Sequence, residues 1–230
     1  MLNITETIQK IAQRVGKALT SIVDSIVGRI GGWVARYKKL LEKHRQHEEY
    51  KEEIEKLECM YNPEQVDVEL SKKLRAQMES LENGKLIEKI KSMSYESRNE
   101  YFEKTLFPLI CNTMEITPGF LGWFESDHTA GVYREMEKGL ALNKAFLWTD
   151  DENVLRLMIN TIIHECKHAR QCDAVYGRNS HGYSDELIAT WKRNYDDYIT
   201  PAESDELYMK QPIEWDADRF AESVWPIVNN

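Results

Sequence analysis

Two histidines four residues apart flank a glutamate in the segment TIIHECKH, at His164, Glu165 and His168. Residues at this spacing lie on one face of an α-helix, one turn from each other. Two imidazole nitrogens placed in this way can bind one tetrahedral zinc ion, with bonds of about 2.0–2.1 Å. Glu165 points to the flank of that face, where its carboxylate can accept a proton from a zinc-bound water. The segment therefore predicts a zinc site with a general base beside it.

A second pair of acidic residues can complete such a site, because two histidines leave a zinc ion without its third protein ligand. Glu214 and Asp218 are four residues apart in the segment EWDADRFA, which also reads as a helix. We predict that Glu214 is the third ligand. Asp218, one turn later, can then accept the second N–H of a zinc-bound imidazole, most simply that of His164. Asp216 lies about 200° around the helix from Glu214 and is expected to face away from the site.

The alternative interpretation is a surface helix that contains two histidines and an ordinary glutamate. Histidine is scarce, with six in 230 residues, so this pattern seldom arises by chance in such a chain. The turns before the motif are apolar, as in a core helix: Val154, Leu155, Leu157, Met158, Ile162 and Ile163. A metal site explains the pattern better than a solvated surface does.

Hydrophobic periodicity indicates the elements that must position these residues. From Ser94 the chain gives an apolar helix and then short strand-like pieces at 120–125, 130–134 and 139–147. The helix with the two histidines follows, and a last helix runs over about residues 206–224. This order predicts an α+β fold that is mainly helical.

The two motifs together, His164-Glu165-x-x-His168 and then Glu214-x-x-x-Asp218, resemble those of the zinc metallopeptidases called gluzincins. The order of elements over residues 95–228 is similar to that of the minigluzincins, the minimal members of this group. The resemblance implies a zincin-like domain with a backing helix, a small sheet with a substrate-facing edge strand, an active-site helix and a glutamate helix. A helical N-terminal extension precedes it. The last motif is also similar to that of small bacterial and phage-borne metallopeptidase domains.

The resemblance implies an activity as well as a fold. We expect hydrolysis of a peptide or protein substrate, with Zn²⁺ as the cofactor and Glu165 as the general base. In this family an extended substrate pairs with the edge strand through backbone hydrogen bonds. The sequence places that strand around Leu140, Leu142 and Ala145, which become the candidate substrate-binding residues.

A tyrosine or histidine normally assists the oxyanion in this family, and no motif assigns that residue here. The candidates in this chain are His181, Tyr183 and Tyr208. Tyr208 is preferred as the catalytic donor because it sits just ahead of Glu214 in the sequence.

Charge and composition divide the chain into three segments. Residues 1–45 are predicted to be a basic amphipathic helical arm, residues 46–94 a charged helical spacer, and residues 95–230 the zinc metallopeptidase-like catalytic domain. The whole chain carries a net charge of −9, and an acidic body argues against nucleic acid as a partner. The basic arm suits a helical partner, packing on the main domain, or a membrane surface.

Two functions from different classes remain open at this point. The sequence shows no signal peptide or transmembrane run, and its four cysteines lack the spacing of a disulfide framework. These features predict a cytoplasmic location, with non-classical export left open. The first function is a zinc-dependent peptidase, or a zinc hydrolase of another amide. The second is a delivered or structural protein of phage or toxin type: its N-terminal helix mediates assembly or membrane contact, and its metal domain serves one dedicated partner or is inactive.

Overall fold

The part of the chain that carries both motifs consists of helices arranged around one small sheet. The computed structural model describes residues 64–117, 119–126, 129–201 and 205–227. The predicted basic arm at residues 1–45 lies outside them. Among the described residues, no helix is long and apolar enough to span a lipid bilayer. The fold is α+β and mainly helical, which confirms the coarse class predicted from periodicity.

Helices α1 to α8 and strands β1 to β3 follow one another along this part of the chain. A π-helical turn over Phe102–Leu106 joins α3 to α4, next to Pro108, whose missing N–H disfavours a regular α-helix. The bounds of the elements are α1 Gln65–Ser80, α2 Leu86–Lys91, α3 Tyr95–Tyr101, α4 Phe107–Thr113, β1 Leu121–Phe124, β2 Gly131–Arg134, β3 Gly139–Asn143, α5 Glu152–Val175, α6 Asp185–Asp196, α7 Asp205–Lys210 and α8 Pro212–Val224.

The sheet has the strand order β1-β3-β2, so β3 is its central strand. It runs parallel to β1 and antiparallel to β2, with Leu140 opposite both Leu121 and Tyr133. All five residues of β3 are buried, which is typical of a strand covered on both faces. The prediction of a substrate-binding edge strand at Leu140, Leu142 and Ala145 is therefore wrong. Leu140 and Leu142 are core side chains, and Ala145 lies beyond the strand in a 3₁₀ turn.

Helix α5 carries the motif with the two histidines and contacts both the sheet and α8. Asp151 caps its N-terminus, because Oδ1 of this residue accepts hydrogen bonds from the N–H groups of Asn153 and Val154 at 2.9 and 3.4 Å. Most of the 24 residues of α5 are buried. The motif therefore sits on a core helix, as its apolar preceding turns predicted.

Helix α8 carries Glu214 and packs along α5. Pro212 occupies its first turn, where a missing N–H costs no helical hydrogen bond. Just beyond its end, the carbonyl of Trp225 accepts a hydrogen bond from the Asn160 side chain of α5 at 3.0 Å. The apolar residues of α8 are buried: Ile213, Ala217, Phe220, Ala221 and Val224. These contacts hold the two motif-bearing helices in one fixed register.

Helix α1 lies within the segment that was predicted as a spacer, and it contacts both α5 and α8. Its Asp67 is buried, and Oδ2 of this residue lies 2.6 Å from the Nζ atom of Lys167 on α5. The hydroxyl of Tyr183 donates to Oδ1 of the same carboxylate at 2.8 Å. Residues 64–94 thus share a polar core contact with the helix that carries the histidines.

Candidate metal centre

The three predicted ligand side chains converge on one point between α5 and α8. The Nε2 atoms of His164 and His168 are 2.9 Å apart, and Oε2 of Glu214 lies 3.3 Å from the first and 3.4 Å from the second. In a tetrahedral zinc site with bonds of about 2.0–2.1 Å, the ligand atoms are about 3.3–3.4 Å apart. The three side chains form the only cluster with metal-binding spacing among the described residues.

The outer nitrogen of each histidine has an acceptor that orients the ring. Nδ1 of His164 lies 2.7 Å from Oδ1 of Asp218, so the contact predicted from the sequence is present. Nδ1 of His168 lies 2.8 Å from Oε1 of Gln171. In neutral rings whose Nδ1 atoms carry the proton, both Nε2 atoms have lone pairs directed at the same point as the carboxylate of Glu214. Three electron-rich atoms in this arrangement fit a bound cation.

The electrostatics of the cluster agree with that fit. Burial alone would raise the pKa of Glu214, but the neighbouring histidines hold it well below its usual range. Burial alone would lower the pKa of His164, but the carboxylates of Asp218 and Glu214 raise it well above its usual range. Burial alone would also lower the pKa of His168, but the carboxylate of Glu214 raises it above its usual value. The surrounding carboxylates thus favour positive charge at the point where the three ligand atoms meet.

Glu165 lies on the sheet side of the cluster. Its carboxylate is buried, and Oε2 accepts a hydrogen bond from the backbone N–H of Tyr133 on β2 at 2.7 Å. Burial raises its pKa, which the neighbouring histidines partly offset. A carboxylate that is held beside the ligands, without being one of them, can act as a general base.

Close packing of β2 against α5 requires a glycine at position 131. A Cβ atom there would lie 2.5 Å from Cγ2 of Thr161 and 3.2 Å from the Cγ atom of Glu165. Neither α5 nor the central strand behind Gly131 offers room, because Cδ2 of Leu142 would also lie 3.2 Å away. The distance between β2 and the base therefore depends on this residue.

For the peptide hydrolysis expected from the sequence, Gly131→Ala should lower kcat/KM by about 10²-fold, because an added methyl group displaces β2 from Glu165. Zinc content should stay at the wild-type value, since no ligand moves with β2. The matched control is Gly122→Ala on β1, where the nearest atoms belong to the exposed ring of Phe120. A folded Gly131→Ala variant with the kcat/KM of the control would contradict the close approach of β2 to α5.

Two tyrosine hydroxyls reach the carboxylate of Glu214. Tyr208, the preferred sequence candidate, donates to Oε2 at 2.9 Å. Tyr198 donates to Oε1 at 2.6 Å, and the sequence analysis missed it. Burial and the charge of Glu214 raise the pKa of both tyrosines, so both hydroxyls stay protonated at neutral pH. The position of Tyr198 is set by Gln211, whose side-chain amide exchanges hydrogen bonds with the backbone of the next residue, Ile199, at 3.1 and 2.8 Å.

The other two candidate donors lie away from the ligand cluster. The hydroxyl of Tyr183 contacts Asp67 and Lys167 in the core. His181 is buried, neither of its ring nitrogens makes a hydrogen bond, and Nε2 lies 3.5 Å from Asp173. Neither side chain is placed to reach a substrate at the ligand cluster.

Asp216 lies on a different face of α8 from Glu214, as predicted, but this face is buried and not solvated. The residue is 3% exposed and points into the core, where Oδ2 lies 2.7 Å from Nε2 of Gln171 and 3.2 Å from Nζ of Lys167. Helical periodicity correctly places Asp216 on a different face from Glu214. Periodicity could not show that this face of α8 is also buried, or that the buried ammonium group of Lys167 lies beside it.

The chain matches no protein-family model, no curated protein and no solved structure. A functional interpretation of the centre therefore depends on its donor atoms and their surroundings.

Proposed function

We propose that this protein is a zinc-dependent peptidase with a zincin-like fold, and that it belongs to the gluzincin class. The observation that carries the proposal is the triangle of His164, His168 and Glu214, with a separate buried carboxylate, Glu165, at its side. Two histidines, one carboxylate and a base that is not a ligand are the parts that metal-assisted hydrolysis needs.

The residues of the chain then have distinct tasks. A zinc ion held by His164, His168 and Glu214 would supply Lewis acidity to the attacking water and to the scissile carbonyl. Glu165 accepts the proton from the attacking water and passes it to the amine that leaves. The backbone N–H of Tyr133 holds the carboxylate of Glu165 in the direction of the ligands.

Strand β2 takes the substrate-binding role that was assigned to β3. The N–H of Asn143 donates to the carbonyl of Ala130 at 2.8 Å, and bonded and unbonded pairs alternate in an antiparallel ladder. The backbone groups of Val132 therefore pair with β3, whereas those of Gly131 and Tyr133 point away from the sheet. The N–H of Tyr133 already donates to Glu165, so this edge faces the base and a peptide would pair with the backbone groups that remain on it. An extended peptide that pairs with β2 would bring its backbone to the centre.

Tyr208 and Tyr198 divide two further tasks. Oε2 of Glu214 faces both histidines and also accepts a hydrogen bond from Tyr208, so the Tyr208 hydroxyl lies beside the point where the three residues would hold a zinc ion. From this position the hydroxyl of Tyr208 can donate to the oxyanion of the substrate. Tyr198 contacts the other oxygen, Oε1, and can keep its hydrogen bond.

The pair Tyr208→Phe and Tyr198→Phe should separate these tasks. Loss of an oxyanion donor lowers kcat by about 10²- to 10³-fold, which we expect for Tyr208→Phe with little change in KM. Tyr198→Phe removes a hydrogen bond that steadies a ligand, so it should weaken zinc binding and leave kcat of the zinc-saturated enzyme close to that of wild type. Steady-state kinetics at saturating zinc distinguish the two, and equal losses of kcat would contradict the assignment.

The test of the proposed function uses the full chain with its metal stripped by a chelator and then restored with zinc. A library of fluorogenic peptides is added to both forms, and mass spectrometry identifies any cleaved bond. Cleavage by the zinc-loaded form alone supports the proposal. A zinc-loaded, folded protein that cleaves no peptide would contradict it and favour a delivered or structural protein whose metal domain serves another purpose.

A further inference from the structure

Gln171 joins the metal centre to a buried charged network that the mechanism above does not use. Its side chain is fully buried between His168, on the same helix, and the first turn of α8. We propose that Gln171 is a positioning residue for His168, and that Asp216, Lys167 and Asp67 hold Gln171 in the orientation that this task requires. The inference rests on the proposed metal centre and assigns a role to residues outside it.

The hydrogen bonds of Gln171 permit one orientation of its amide. Nε2 donates to the carbonyl of Ile213 at 3.0 Å and to Oδ2 of Asp216 at 2.7 Å, so both of its protons are used. Only Oε1 is left for His168, 2.8 Å from Nδ1. A flipped amide would place its oxygen against two other acceptors, which is costly inside a protein.

This orientation determines which nitrogen of His168 can bind a metal. Oε1 of Gln171 is an acceptor, so Nδ1 of His168 must carry a proton to make the contact. The lone pair of the neutral ring then lies on Nε2, the atom that faces His164 and Glu214. Gln171 thus does for His168 what Asp218 does for His164.

A chain of buried charges extends this support to helix α1. Asp216 lies 3.2 Å from Nζ of Lys167, and Asp67 of α1 lies 2.6 Å from the same atom. Lys167 is fully buried and lies over the ring of Tyr183 at 4.5 Å. The positive charge of Lys167 thus pairs with the carboxylate that accepts one of the two amide protons of Gln171. The geometry of His168 therefore depends on Asp67, which lies one hundred positions before Lys167 in the chain.

The first experiment measures the dissociation constant for zinc in the full chain by competition with a chromophoric chelator. Loss of an outer hydrogen-bond partner weakens metal affinity by about 10- to 100-fold, which we expect for Gln171→Met, with a smaller loss for Asp216→Asn. Asp173→Asn on the same helix is the matched control, because its carboxylate pairs with Arg178 at the surface. A folded Gln171→Met variant with the affinity of the control would overturn the proposal.

The second experiment needs no variant at Gln171 and no hydrolysis. The full chain is labelled with ¹⁵N-histidine, and long-range ¹H–¹⁵N spectra report which ring nitrogens carry protons in the zinc-free and zinc-loaded protein. The His168 signals are identified by their absence in His168→Gln. The zinc-free spectra are recorded over a pH series that reaches the neutral form of His168. A neutral ring that keeps its proton on Nδ1 supports the proposal, and a neutral ring that keeps it on Nε2 would overturn it.

The two experiments separate this proposal from the proposed function. If wild type binds zinc and hydrolyses no peptide, the peptidase assignment fails, and the zinc affinities of the variants still decide the role of Gln171. If wild type binds no zinc, the metal centre itself fails, and the spectrum of the zinc-free protein still decides whether Gln171 sets the protonated nitrogen of His168.

Discussion

Replacing Glu165 with glutamine lowers kcat/KM for peptide hydrolysis by about 10²- to 10⁴-fold, the usual contribution of a general base. Glutamine has nearly the same volume and can still accept the hydrogen bond from the N–H of Tyr133 through its oxygen. It cannot take a proton from water, so the metal and the substrate are bound in a site that lacks its base. Zinc content stays at the wild-type value, because Glu165 is not one of the three converging ligands.

The control for this variant is Glu152→Gln in the first turn of the same helix. The side chain of Glu152 is exposed and pairs with Arg156 at 3.0 Å, so its loss should leave both zinc content and kcat/KM unchanged. Steady-state kinetics and elemental analysis on the same samples make the comparison. A Glu165→Gln variant that keeps wild-type kcat/KM would remove the base from the mechanism, and one that loses its zinc would make Glu165 a ligand.

Replacing Asp67 with asparagine lowers the free energy of unfolding by about 3 kcal/mol. Removal of one partner from a buried ion pair costs about 3–5 kcal/mol because a buried charge is left without compensation. The lower end applies here, since Lys167 keeps Asp216 at 3.2 Å after Asp67 is lost. Chemical denaturation followed by circular dichroism measures the change.

Glu69→Gln is the matched control for Asp67→Asn, because Glu69 is an exposed carboxylate two residues away on α1. A surface change of this kind should stay within about 0.5 kcal/mol. Equal stabilities of the two variants would contradict the buried contact between α1 and α5.

The expected loss of stability also bears on the design of truncations. A fragment that begins at residue 95 lacks Asp67 and should be less stable for that reason alone. The role of the basic arm is therefore better tested by a truncation that removes residues 1–45 and retains α1.

The cluster of His164, His168 and Glu214 could be predicted from the sequence because most of its determinants are local. A spacing of four residues places His164 near His168, and Glu214 near Asp218, in any helix. The apolar turns before the motif further indicated that α5 is a core helix, and the structure places it there. That α5 and α8 lie side by side with their ligands in contact does not follow from periodicity. It was predicted because two histidines leave zinc without a third protein ligand, and because the paired motifs resemble those of the gluzincins.

The features that the sequence did not reveal all depend on contacts between distant segments. The alternation of Leu140 and Leu142 suits an edge strand as well as a central one, and β3 is central only because it inserts between β1 and β2. Tyr198 lies in a loop and reaches Glu214 because Gln211 holds that loop. Nothing in the local sequence distinguishes Asp67 from the other charged residues of its polar helix, since its partner Lys167 is one hundred residues away.

The most direct test of the central claim is the metal content of the purified full chain, measured by elemental analysis beside His168→Ala and Glu214→Ala. About one zinc ion per chain in wild type, lost or sharply reduced in both variants, is the result we predict for a three-ligand site. Folded wild-type protein that was purified in the presence of zinc and holds no stoichiometric metal would contradict it. The triangle of His164, His168 and Glu214 would then be a polar core contact, and the peptidase proposal would fall with it.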